Sequence, residues 1–209
     1  MLKVLDGSFA PMLLDFFTRN QDFLKPWESI KENGFYSLDF QREQLTNELQ
    51  KMGDDRLFKV WLFEKADTGF DKPIGSVALN EIVRGCFHSC FLGYRMDEYK
   101  RNQGYMTEAV GAVIDYGFNK LALHRIEANI MPHNKASLRV VDKSEFSNWF
   151  PTTVPTATFR IFSFEGPETS SSSKPAVVLL QVTLYRTDEI LTKSLSKTST
   201  PLTSAKPVH

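Results

Sequence analysis

The chain has 209 residues, of which 42% are hydrophobic and 24% charged, enough for one core of ordinary size with or without a tail. Its 25 Lys+Arg balance 25 Asp+Glu, so no global field draws it to nucleic acid or to an anionic membrane. No apolar run approaches the ~20 residues of a membrane span, and two cysteines cannot staple a disulfide scaffold, which excludes membrane-spanning, disulfide-rich, fibrous and collagen-like classes.

Taken in chain order, MLKVL reads as a short first strand. Asp6 and Pro11 interrupt the apolar stretch around it, a poor match to a signal peptide. Asp6 or Ser8 can cap a first helix over residues 9–24, with Leu13, Leu14, Phe16 and Phe17 as its apolar residues, and Lys25-Pro26-Trp27 ends it. Trp27 is expected in the core rather than on a substrate lip. Ser37 can cap a second helix in which Gln41, Leu45, Leu49 and Met52 recur at helical spacing. Three strands follow over 56–65, 74–83 and 90–96, separated by the turns ADTGFDKP and RGCFHS, and they predict an antiparallel meander. Val110, Val113, Ile114, Gly117, Phe118 and Leu121 form the stripe of an amphipathic helix. A strand over 124–131 ends at Pro132, and Asn134 can cap a last helix from 135 to about 146. The order is strand, two helices, three strands, helix, strand, helix, an α/β class.

The composition changes near residue 147. Residues 1–146 hold 11 Ser+Thr, and residues 147–209 hold 21. Two stretches of β-forming residues, TATFRIFSF and AVVLLQVTLY, interrupt this polar segment and read as strands. The expected organisation is a domain over 1–146, an atypical segment with two strands over 147–190, and a disordered tail over 191–209.

Chemistry points to the stretch between the third meander strand and the amphipathic helix. Lys100 and Arg101 precede Gly104, and a helix starts directly after it. Converging backbone N–H groups and a helix N-terminus suit a phosphate or pyrophosphate. By spacing alone, an ordinary solvated loop with two exposed cations is equally well supported.

Arg101-Asn102-Gln103-Gly104-Tyr105-Met106 resembles the R/Q-x-x-G-x-G/A acyl-CoA loop of the GNAT N-acetyltransferases. RNQDFLKPWE (19–28), GYMTEAV (104–110) and LHRIEANIMPHNKASLRVVDK (123–143) are similar to the ribosomal-protein-alanine N-acetyltransferase branch, in the right order and spacing. The resemblance spans about residues 3–146. Met106 replaces a small residue of the loop, Asn102 stands where Gly is common, and after KSEF the family's closing strands are not recognisable.

The resemblance implies a GNAT-like, mixed, mostly antiparallel sheet flanked by helices. It implies acetyl-CoA as co-substrate and no metal. Its pyrophosphate would lie on the backbone of Arg101, Asn102, Gln103, Gly104, Tyr105 and Met106, and its pantetheine along Tyr94-Arg95-Met96, with the Met96 N–H as oxyanion donor. Asn134 and Ser137 fit the family's N-x-x-S, where Asn contacts the pantetheine arm and Ser protonates the leaving thiolate. Glu127 is the candidate base, with pairing to Arg125 or Arg139 as its competing role; Glu81 is a second candidate. The implied partner is a protein N-terminal amine, such as that of a ribosomal protein, with no direct nucleic acid and no membrane. A catalytically weak acyl-CoA-binding or interaction protein, or a small-amine acetyltransferase, are the alternatives.

Cys86 and Cys90 flank a turn with His88 and lack the second pair a structural zinc site wants. They read as reduced thiols of a cytoplasmic protein. His124 and His133 are expected to be packing or surface residues.

Overall fold

A computed structural model describes residues 1–144 and the backbone of the strands Thr158–Phe164 and Val177–Tyr185. At the start, β1 (Leu2–Lys3) is only two residues long. Asp6 then takes the Ser8 N–H at 2.8 Å and caps a 3-10 turn that leads into α1 (Ala10–Arg19).

The sequence predicts one helix over 9–24. The structure breaks it at Asn20, and only the short α2 (Gln21–Leu24) follows. The reason is a long-range hydrogen-bond set. Asn20 is 1% exposed. Its amide donates to the Phe16 carbonyl at 2.9 Å and to Asp97 Oδ2 at 3.3 Å, and its Oδ1 accepts the Glu98 N–H at 2.9 Å. A buried side-chain amide must be satisfied, and satisfying it here fixes a bend.

Ser37 caps α3 (Leu38–Gly53) by accepting the Phe40 N–H. The predicted meander is β2 (Phe58–Leu62), β3 (Gly75–Val83) and β4 (Ser89–Met96), all antiparallel neighbours. Then come α4 (Tyr105–Asn119), β5 (Arg125–Ile130) and α5 (Lys135–Lys143). The last helix ends at Lys143, with Ser144 as its C-cap, short of the predicted residue 146.

The two late stretches are strands: β6 (Thr158–Phe164) and β7 (Val177–Tyr185). The seven-stranded sheet has the order β1-β2-β3-β4-β5-β7-β6. β7 runs antiparallel to β5, and β6 lies outside β7. The fold class is the expected one, a mixed and mostly antiparallel sheet with helices. The expectation of a disordered tail over 191–209 falls outside the described residues.

Alternation along the strands separates two cores. On one face, Phe16 and Phe17 of α1 meet Trp61 of β2 edge-on, at 5.3 and 6.1 Å between ring centres. Such pairs add about 0.5–1.5 kcal/mol each beyond area burial. On the other face, Val110 and Val113 of α4 cover Val77 and Leu79 of β3 and Ile126 of β5. Gly117 lets α4 approach closely: a Cβ there would stand 3.0 Å from Leu79 Cδ1 and Ile126 Cδ1.

The sheet has a gap between two of its strands. β4 and β5 are parallel and pair only at Ser89–Phe91 against Arg125–Glu127. Beyond that, Leu92–Met96 and Ala128–Ile130 are not partners, so the backbone edges between them are free for another chain or a ligand.

Candidate active site

The loop between β4 and α4 is shaped by three local devices. Asp97 Oδ1 accepts the Tyr99 N–H at 2.9 Å and starts a 3-10 turn, Glu98–Lys100. Asn102 and Gly104 take left-handed backbones, with φ of 59° and 83°. Gly104 then serves as the N-cap of α4 without a side-chain cap bond. The first-turn N–H groups of α4 therefore have no capping side chain, and a helix N-terminus in this state attracts anions. A Cβ built on Gly104 meets nothing within 4 Å, so open space faces the backbone there.

That space is a cavity of about 1360 Å³. Arg101, Asn102, Gln103, Gly104, Tyr105 and Met106 line it, together with Met96, Asn134 and Ser137. The structure thus brings the loop residues, Met96, Asn134 and Ser137 around one space, and leaves the two candidate bases, Glu127 and Glu81, outside it.

The loop cations are not free. Lys100 Nζ lies 2.8 Å from Glu64 Oε2, and the Tyr105 hydroxyl donates to Glu64 Oε1 at 2.9 Å. Lys100 and then Tyr105 hold the Glu64 carboxyl below its usual range. Arg101 donates from Nε to the Glu98 carbonyl at 2.9 Å, and its guanidinium sits 4.6 Å over the Phe23 ring. Backbone N–H groups are therefore the loop's main free anion donors, with two partly neutralised cations beside them.

A buried carboxylate anchors the loop to α1. Asp97 is 4% exposed and accepts from Arg19 Nε at 2.8 Å as well as from Asn20 and Tyr99. Burial alone would raise its pKa. The Arg19 guanidinium, the Tyr99 N–H and the Asn20 amide outweigh burial and lower it.

At the gap, Asp97 donates its N–H to Ile74 at 2.8 Å, and Met96 lies opposite Gly75. Antiparallel pairs alternate between bonded and non-bonded. The Met96 N–H therefore faces away from β3, toward the gap. Across it, Asn134 Oδ1 accepts the Ser137 N–H at 3.1 Å and caps α5. The Tyr94 hydroxyl donates to the Ser137 carbonyl at 2.8 Å and ties the first turn of α5 to β4. Burial pushes the Tyr94 phenol up to about 12, against the opposing pull of that bond, so it remains a donor at neutral pH.

A second cavity of about 440 Å³ lies toward α3. Lys59, Ser76, Ala78, Asn80 and Asn129 line it. Trp27, Glu28, Tyr94, Arg95, Asn134 and Ser137 line both cavities, so the two meet at the gap.

Some residues sit elsewhere than expected. Glu127 is 8% exposed, lines neither cavity, and lies 3.2 Å from Arg125 Nε. Trp27 is not a core residue. It is half-buried, lines both cavities, and packs on His133 with ring centres 5.4 Å apart. The 3-10 turn Lys25–Trp27 carries it past the end of the helical layer. Glu81 lines the second cavity at the bulge of β3, with φ of 48°. Cys86 is exposed, Cys90 is buried with its thiol pushed up to about 12 by burial, and neither lines either of these two cavities. Among the described residues no three His, Cys, Asp or Glu stand together as a metal site. The sequence reading missed Glu28 and the Tyr94 hydroxyl; the Pro26-Trp27-Glu28 run was the available signal for the first.

Residues 9–147 match the family model described as "Acetyltransferase (GNAT) domain". The probable N-acetyltransferase YjcK of Bacillus subtilis is 37% identical over 145 residues, 69% of this chain and 78% of that one. The [ribosomal protein uS5]-alanine N-acetyltransferase of Escherichia coli is 38% identical over 139 residues, 66% of this chain and 69% of its own. The fold matches a ribosomal-protein-S5-alanine acetyltransferase from Vibrio fischeri with a TM-score of 0.71, at 22% identity, over 90% of this chain and 93% of the other. A loop of bare N–H groups, an interrupted sheet and these matches agree, and the chain belongs to the GNAT acetyltransferases.

Proposed function

We propose that this acetyltransferase moves the acetyl group of acetyl-CoA directly onto the α-amino group at the N-terminus of a protein, with ribosomal proteins as the acceptor class. The observation that carries this reading is the junction of two cavities at the β4–β5 gap. The larger one holds the anion-binding loop and fits acetyl-CoA. The smaller one, across the sheet, is the place for the acceptor. A relative's printed action on the alanine of uS5 supports the acceptor class.

The co-substrate supplies an acetyl group activated as a thioester. The N–H groups of residues 101–106 bind its pyrophosphate. The free edge of Tyr94–Met96 and the Asn134 amide hold the pantetheine arm. The Met96 N–H receives the charge that develops on the thioester oxygen. The amine nitrogen forms the new bond to the acetyl carbon as the carbon–sulfur bond breaks. Ser137 gives its hydroxyl proton to the departing sulfur, and the proton shed by the new amide passes to water and restores Ser137. An α-amino group has a pKa of about 7.7–8.0, so part of it is neutral near pH 7 and no strong base is required. Glu127, paired with Arg125 and outside both cavities, takes the structural role. The setting we infer is cytoplasmic, with Cys86 and Cys90 as free thiols.

Acetyl transfer by the full chain to alanine-starting peptides tests the reading. Transfer to small amines alone would change the acceptor class. Binding of acetyl-CoA without turnover would leave only the donor site.

A further inference from the structure

The floor of the smaller cavity is bare where β4 and β5 part. Gly93 of β4 lies on the floor there, paired with Ala78 of β3. Phe91 pairs with Glu127, so two residues on, Gly93 would stand opposite Asn129 had the ladder continued. Asn80 of β3 leans over from the other side: a Cβ built on Gly93 would stand 3.0 Å from Asn80 Nδ2. Asn80 and Asn129 thus flank Gly93 from the strands on either side of β4, and both line the cavity. Two strand spacings make about 10 Å between their backbones, which leaves room for one extended chain midway.

Both carboxamides keep hydrogen-bonding capacity. Asn129 is exposed, and its side chain has no hydrogen-bond partner among the described residues. Asn80 is half-buried and donates from Nδ2 to the Phe91 carbonyl at 3.3 Å, which leaves Oδ1 as an acceptor without a partner among the described residues. The cavity's other polar groups are largely paired with one another, Lys59 with Glu48 and Arg95 with Glu28. A trans peptide unit is planar and points its N–H and its C=O in opposite directions. Between these two side chains it meets an acceptor on one side, Asn80 Oδ1, and a donor on the other, the Asn129 amide.

Resting on the acceptor assignment above, we infer that Asn80 and Asn129 are specificity-determining residues that clasp a peptide unit of the acceptor: Asn80 Oδ1 takes its N–H, and Asn129 gives an N–H to its carbonyl. Gly93 lies three residues from Met96, about 10 Å along the strand. The clasped unit is therefore the first or second peptide bond behind the α-amino group. The substrate class this defines is an amine followed by a peptide backbone. A small amine without a peptide bond lacks what the pair reads.

The test is peptide binding by calorimetry on the full chain saturated with desulfo-CoA, which blocks turnover. An alanine-starting peptide is compared with two analogues in which the first or the second amide is replaced by an ester, so that one backbone N–H is lost. Wild type should bind one of the two esters about three- to tenfold more weakly, the worth of one net hydrogen bond. Asn80→Ala should bind the parent peptide and that ester alike, both with the lower affinity. Asn129→Ala should weaken parent and ester by a similar factor and keep their ratio. Desulfo-CoA affinity should stay unchanged in both variants. Equal binding of the parent and both esters by wild type overturns the inference, as does an unaltered ratio in Asn80→Ala or full peptide affinity in Asn129→Ala. If Asn80→Ala does not fold, the wild-type comparison and the exposed Asn129 decide. A chain that binds desulfo-CoA but neither binds nor acetylates alanine-starting peptides takes down the proposed acceptor class together with this inference. Intact peptide acetylation with equal binding of parent and esters removes the role of the asparagine pair alone.

Discussion

The loop at 101–106 and the cavity across the sheet are built in opposite ways. The loop uses backbone. Two left-handed residues, Asn102 and Gly104, and an uncapped helix start put its donors in place. The second cavity uses side chains drawn from elements far apart in sequence: Glu28 after α2, Lys59 on β2, Arg95 on β4 and Asn129 on β5. A backbone site is written in consecutive residues. A side-chain site exists only after the sheet has formed.

The largest expected effect breaks the backbone half. Gly104→Val places a β-branched residue at φ of 83° and fills the open space that faces the loop. Left-handed backbone costs roughly 1–2 kcal/mol for an L-residue, and the lost phosphate approach adds to it. Acetyl-CoA affinity should fall by about a hundredfold by calorimetry. An unchanged affinity would remove the loop from the donor site.

Ser137→Ala addresses the junction. General acids contribute about 10²–10⁴-fold, and a thiolate is a good leaving group, so kcat should drop at the low end, about a hundredfold. Acetyl-CoA affinity should hold, because only the hydroxyl is lost while the Ser137 N–H and C=O keep Asn134 and Tyr94. Equal losses in affinity and kcat would point to damage of α5 rather than to proton transfer.

Asp97 sharpens the contrast, because side chains support the backbone site. Its folded pKa is lowered, so its contribution to stability is fully present above the unfolded value of about 3.9. That contribution fades as pH falls through the lower, folded value. Asp97→Asn should cost about 2 kcal/mol at pH 7, the scale of buried charged hydrogen bonds. It should also flatten the acid limb of the stability curve below pH 4. Urea titrations at pH 7 and pH 3 on both proteins measure this. A mutant with the parent's acid limb would refute the assignment.

Arg101→Ala should have the smallest effect. Its charge is shared with Glu98 and Phe23. A loss of affinity of a few-fold, shrinking as salt rises, is expected. A loss approaching that of Gly104→Val would shift the weight from backbone donors to charge.

Much of the fold was legible because its signals are local. Ser37 before an apolar helical spacing and the 110–121 stripe identified α3 and α4. β-Formers bounded by turns identified the meander, and even the late stretches TATFRIFSF and AVVLLQVTLY, which pair beyond β5. The break at Asn20 was not legible, because its cause, Asp97 and Glu98, lies 77 and 78 residues away. Trp27 misled for a similar reason. A large aromatic after a helix reads as core, and only packing on His133 shows it at a lip. Glu28 looked like one more surface carboxylate until Arg95 and the gap were placed beside it.

The periodicities, the caps and the glycine-bearing loop were readable from the residues alone, since they depend on neighbours within one turn of chain. Tertiary structure alone decided where β4 and β5 part, which carboxylate faces the gap, and that Glu127 faces Arg125 instead. Those outcomes depend on register and alternation across strands, where one residue's shift moves a side chain to the other face.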